Sequence, residues 1–80
     1  MTPAEQKVVA WVVAWQVEKR LRDQDVADTL GISRVYWHGL RTGRVRLGEY
    51  AMRGVARAFP KRFRRELIRI LEGDEEEATG

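Results

Sequence analysis

Ten consecutive residues, Val8–Val17, carry a single polar side chain, Gln16. Just ahead of them, Thr2-Pro3-Ala4-Glu5 reads as a helix start. Thr2 can cap, Pro3 suits the first helical position, and Glu5 closes a capping box. The helix is expected to run to about Arg20 or Leu21, with apolar groups around nearly its whole circumference. Such a helix needs cover on more than one side. A chain of 80 residues without cysteine has no disulfide to reinforce it. The cover must come from its own helices, from a second subunit, or from both. Val8, Trp11, Val12 and Trp15 are the candidates for a dimer interface. The apolar run is far shorter than the roughly 20 residues that span a bilayer. No small-residue cleavage pattern follows it, so neither a membrane span nor a signal peptide is expected. The default compartment is a reducing cytoplasm.

Beyond this helix, the chain is punctuated by glycine and proline. Asp23–Leu30 reads as a short helix with Val26, Ala27 and Leu30 turned inward, ended by Gly31. Ile32 packs back after that glycine, and Ser33 is a good cap for a third helix from Arg34 to about Thr42. Gly43 stops it, and Arg44–Leu47 forms a basic loop. A fourth helix covers about Gly48–Phe59. Pro60 breaks it and opens a fifth, Lys61–Leu71, where Phe63, Leu67, Ile70 and Leu71 repeat at helical spacing. Gly73 ends the pattern. No stretch alternates as a strand does. The expected fold is therefore all-α, a compact five-helix domain over residues 1–73, with an acidic, disordered tail at 74–80.

Charge is distributed unevenly. From Arg34 to Arg69 there are eleven Lys or Arg against Glu49 and Glu66, while Glu72–Glu77 holds five acids and no base. A basic body of this kind attracts polyanions, nucleic acid first. A solvated, arginine-rich surface is the competing reading of the same charge.

The segment Asp23–Gly43 carries the functional signal. Two helices that cross steeply through a tight glycine turn need a small residue where their backbones approach, and Ala27 is one. They also need apolar residues that hold the second helix down, and Trp37 and Leu40 lie three apart on one side of it. At about 100° per residue, Arg34, Val35, His38 and Thr42 fall on the opposite arc, with Arg41 at its edge. That arc is short, polar and basic, and its width suits a DNA major groove. The pattern Val26-Ala27, Leu30-Gly31-Ile32-Ser33-Arg34, Tyr36-Trp37 with Leu40, and Gly43 resembles the lambda-repressor-like, Xre/Cro-type helix-turn-helix family. The likeness continues through Val55-Ala56-Arg57-Ala58-Phe59 and covers roughly residues 8–71. It implies a lambda-repressor-like domain with the helix-turn-helix at helices 2 and 3, and the third helix in the major groove. It also implies dimers on paired half-sites about one helical turn apart. Three positions depart from the family. Arg22 and Asp23 stand where Ser or Thr and then a phosphate-contacting Gln are common, and Gln24 follows one residue later. Trp37 is larger than the usual Leu or Ile. Gly39 occupies a place often held by a long polar reader, making room for Trp37 or for close approach to DNA.

The expected roles follow from side-chain chemistry. Arg34 is the base reader, since bidentate arginine–guanine pairing is the commonest specific contact. Ser33 caps and can also contact phosphate. Val35 either touches a thymine methyl or packs half-buried; His38 either lies in the groove or is partly buried. Thr42 extends the arc, and Gln24, Arg41, Arg44 and Arg46 are candidate phosphate contacts. Trp11 and Trp15 belong to the core or to a dimer interface. Nothing points to an enzyme: there is no cysteine nucleophile, and Ser33 has only His38 nearby on the same helix. No Cys/His cluster suits zinc, and no cofactor is implied. The expected function is sequence-specific binding to double-stranded DNA by a small phage-type transcriptional repressor acting as a homodimer, away from membranes. Two alternatives stay open. One is a DNA-binding accessory factor or antitoxin working with a protein partner. The other is an interaction module, without DNA binding, that uses the Val8–Val17 helix.

Overall fold

The structure, a computed structural model, describes residues 2–79, with side chains through residue 69. Helix α1, Pro3–Lys19, begins as its capping box dictates. The Thr2 hydroxyl accepts from the Glu5 N–H at 3.2 Å, and the Glu5 carboxylate accepts from the Thr2 N–H at 3.4 Å. It ends at Arg20 in the left-handed conformation, φ 55°, without a glycine. Helix α2, Asp23–Leu30, follows directly and closes on Gly31 at φ 70°. Three residues later α3, Arg34–Arg41, starts under the Ser33 cap, whose hydroxyl accepts from the Tyr36 N–H at 3.0 Å. Helices α4, Glu49–Ala58, and α5, Pro60–Thr79, complete the chain. Among the described residues there are five helices and no strand, and no helix is long and apolar enough to cross a membrane. Helix α5 runs on through Gly73 to Thr79, past the helix end expected at Gly73 and over most of the stretch expected to be a disordered tail.

One core joins α1 to α4. It is built from Val8, Val9, Trp11 and Val12 of α1, Val26, Ala27 and Leu30 of α2, Trp37 and Leu40 of α3, Leu47 of the loop, and Ala51 and Val55 of α4. The turn from α4 into α5 lies across a further side of α1. Phe59 meets both Trp11 and Trp15 edge-to-face, at centroid distances of 5.3 and 4.8 Å. The Arg62 guanidinium sits 4.9 Å from the centre of the Trp11 ring, a cation–π contact. This corrects the expected dimer interface. Val8, Trp11 and Val12 are buried by the chain's own helices, and Trp15 is half-covered by Phe59. The side of α1 that remains outside is formed by Ala10, Ala14 and Val17.

Two buried glycines mark close approaches. A Cβ on Gly54 would run into the carbonyl of Leu30, so α4 touches the end of α2 backbone to backbone. A Cβ on Gly39 would meet only the side chain of Val45, at 3.0 Å. Gly39 therefore makes room neither for Trp37 nor for DNA, but for the loop that follows α3. Its carbonyl accepts from the N–H groups of Arg44 (2.8 Å) and Val45 (3.3 Å). Tyr36 fastens the far end of that loop. Its hydroxyl donates to the Arg46 carbonyl at 2.8 Å and accepts from the Gly48 N–H at 2.9 Å. The basic loop is thus an anchored projection.

These contacts predict opposite outcomes for two like substitutions. Gly54→Ala forces α4 off α2 and costs about 2–3 kcal/mol. Gly39→Ala gains about 1 kcal/mol of helix propensity, which offsets the shift required of Val45 and leaves stability within about 1 kcal/mol of the parent. Urea unfolding of both variants measures the contrast.

Candidate nucleic-acid interface

Trp37 is 1% exposed, and its indole N–H needs an acceptor inside the fold. Gln16 supplies it, with Oε1 3.1 Å from Trp37 Nε1. The other end of the same amide donates to the Leu21 carbonyl at 3.2 Å and to Asp23 Oδ1 at 2.9 Å. Asp23 in turn receives both arms of Arg41, Nε to Oδ1 and Nη2 to Oδ2, each at 3.0 Å. One chain of hydrogen bonds thus ties α1, the first residue of α2, and the middle and last residue of α3. Hydrogen bonds from Arg41 and then Gln16 hold the Asp23 carboxyl well below the usual carboxylate range, against the opposing effect of burial. The same pairing with Asp23 raises Arg41 above its ordinary value.

The network settles where several expected site residues stand. Arg41 is not a free phosphate ligand: its guanidinium is engaged side-on by a carboxylate. Asp23 is not a helix cap either. It occupies the first helical position, and the cap side is served by Asp25, whose carboxylate accepts from the Arg22 N–H at 2.9 Å. That backbone bond, followed by the Arg22 side chain, lowers the Asp25 carboxyl as well. His38 is half-exposed, with Nδ1 3.0 Å from Arg41 Nη2 and 3.6 Å from Asp23 Oδ2. Arginine can only donate, so a neutral His38 accepts at Nδ1 and carries its proton on Nε2. Thr42 caps the end of α3, its hydroxyl donating to the His38 carbonyl at 2.8 Å. It lines a groove of about 510 Å³ between α1 and the end of α3, with Val9, Ala10 and Val13. Gln24 is exposed but donates to Asp28 at 2.8 Å along its own helix. Arg46 lies 3.5 Å from Glu5, which draws the loop toward the start of α1.

What remains on the outer arc of α3 is compact. Arg34, Val35 and His38 line one shallow cleft of about 230 Å³. Val35 is not half-buried; it is 75% exposed. Among the described residues no acid is paired with Arg34 or Arg44. Helices α1, α2 and α4 each place an acid in their first turn, where the helix dipole favours it, whereas α3 opens on Arg34. The start of α3 is electropositive twice over, from its own N–H groups and from the guanidinium. Arg57 adds to it, since a Cβ on Gly31 would lie 2.9 Å from Arg57 Nη2, beside the α2–α3 turn. No group of His, Cys, Asp or Glu among the described residues is suited to a metal ion. Comparison of the chain with protein-family models, with curated proteins and with solved structures found no match in any of the three.

Asp23 makes a pH-dependent prediction. Its folded carboxyl is depressed, so its stabilisation is complete above the unfolded value of about 3.9 and is lost as pH falls toward the depressed folded value. Asp23→Asn should cost about 1 kcal/mol at neutral pH, after allowance for solvent access to the pair. The gap between variant and parent should close below about pH 4. Thermal melts from pH 7 to pH 2 test both the size and the window.

Proposed function

We propose that this chain binds double-stranded DNA as a helix-turn-helix protein of the lambda-repressor-like kind, with α2 as the bracing helix and α3 in the major groove. The observation that carries the reading is the division of α3 into two faces. Trp37 and Leu40 are buried beneath it, while Arg34, Val35 and His38 are exposed around one cleft, with the cation Arg44, unpaired among the described residues, on the anchored loop beyond. An exposed cationic helix start with no acid beside it is unfavourable in isolation and useful against a polyanion. Arg34 is the guanine reader, His38 offers a second donor at Nε2, and Arg44 is the phosphate contact. Ser33 is occupied as the cap. Arg41 positions α3 through Asp23 and does not contact DNA directly.

An eight-residue helix brings only three or four side chains to base edges, so one copy specifies too short a site to act alone. We therefore read the protein as a homodimer on paired half-sites and its role as that of a small transcriptional repressor. The groove between α1 and the end of α3 favours a second reading, a module that engages a protein partner along Val9, Ala10 and Val13.

Selection of binding sites from a random duplex library, followed by titrations at several salt concentrations, tests the reading. Arg34→Ala should cost about 1–3 kcal/mol on the selected site and much less on random duplex. Arg44→Ala should weaken every duplex alike and flatten the salt slope by about one unit. Asp23→Asn, which releases Arg41, should raise affinity for any duplex and steepen that slope. Equal losses for Arg34→Ala on selected and random DNA would contradict the reader assignment. Absence of binding to any duplex at low salt would leave the partner-binding reading.

A further inference from the structure

The cleft on α3 has an unusual floor. Arg34 and His38 stand one helical turn apart, and Val35, a β-branched residue in the first turn of a short helix, lines the same cleft. Valine is a poorer helix former than the long polar residues. Here it gains no packing in return, because it belongs neither to the core nor to the residues that rest on it, and it is 75% exposed. Hydrogen-bond donors stand beside it, the guanidinium of Arg34 and Nε2–H of His38. The cleft therefore offers two donors beside a pair of methyl groups.

The major-groove edge of DNA holds a matching arrangement. Guanine presents the acceptors N7 and O6, and thymine presents its C5-methyl as the one apolar group in the groove. Arg34 and Val35 follow one another on α3 and line the same cleft, and stacked bases are about 3.4 Å apart, so the two side chains can reach adjacent base pairs. We propose that Val35 is a specificity residue whose methyl groups pack on the C5-methyl of a thymine adjoining the guanine read by Arg34. The inference rests on the reading of α3 as the helix that enters the major groove. It assigns an apolar subsite to a surface otherwise read as cationic, and it fixes the neighbour of the guanine within each half-site.

Deoxyuridine differs from thymidine only by this methyl. The probe is a duplex recovered by selection, with each thymine replaced in turn by deoxyuridine. Burial of one methyl group is worth about fourfold in affinity. The wild-type protein should lose about that much at one thymine position per half-site, beside the guanine whose contact Arg34→Ala removes. Val35→Ala should bind the thymine and deoxyuridine duplexes equally, Val35→Thr should keep an intermediate ratio, and Arg34→Ala should bind more weakly with the ratio intact. All three changes are on the exposed arc, and unchanged thermal melts verify that the variants fold. Two results would overturn the inference while leaving DNA binding in place: indifference to deoxyuridine at every position, or a methyl preference that persists in Val35→Ala. Failure to bind any duplex would instead overturn the DNA-binding reading, and the methyl subsite with it.

Discussion

The indole N–H of Trp37 is buried under α3, and the acceptor that satisfies it is the side-chain amide of Gln16. A buried donor without a partner costs about 1–3 kcal/mol, a large share of what a domain of this size can supply. Gln16 is the only polar residue between Val8 and Val17, and its amide has two ends. Once the oxygen is committed to Trp37, the nitrogen points at Asp23, and Asp23 in turn holds Arg41. The position and roll of α3 therefore rest on a bond from α1. The bulky tryptophan under this helix and the polar residue inside an apolar helix are two halves of one arrangement.

The network also sorts the charges of α3. Arg41 is neutralised by a carboxylate that stays ionised down to strongly acidic pH, while Arg34, seven residues earlier, has no such partner among the described residues. A helix with two free arginines at its ends would bind phosphate at either end and tolerate several orientations on a duplex. With one of them engaged, the free positive charge gathers at the start of α3 and on the loop held by Tyr36. Electrostatic attraction is then directed, which favours register over raw affinity. The acid at position 23, which by charge alone would oppose DNA, sits where it acts on Arg41 first.

Local chemistry was legible in the sequence. The bounds of α2, the start of α3 and the start of α1 follow from Gly31, Ser33 and the Thr2–Glu5 box, because capping involves residues within one turn. The all-helical class follows from the same signals. The Gln16–Trp37 and Asp23–Arg41 bonds span 21 and 18 residues, and no local pattern announces them. Arg41 therefore looked like a free cation. The outward role of Val8, Trp11, Val12 and Trp15 failed for a related reason. An all-round apolar helix reveals that it needs cover but not which side its own chain will cover, and here Phe59 at the end of α4 and Arg62 of α5 cover the tryptophans. Gly39 was visible as an anomaly inside a helix, but its reason is a loop residue, Val45, beyond the helix itself.

On the proposed reading the outer arc of α3, and not the outer side of α1, meets DNA. The most direct measurement is an amide chemical-shift titration of the isotopically labelled protein with a duplex recovered by selection. The largest shifts should fall on Ser33, Arg34, Val35, His38 and Arg44, with the Trp37 indole N–H staying bonded to Gln16 and little moved. Shifts concentrated on Ala10, Val13 and Val17, with residues 33–38 unchanged, would contradict it.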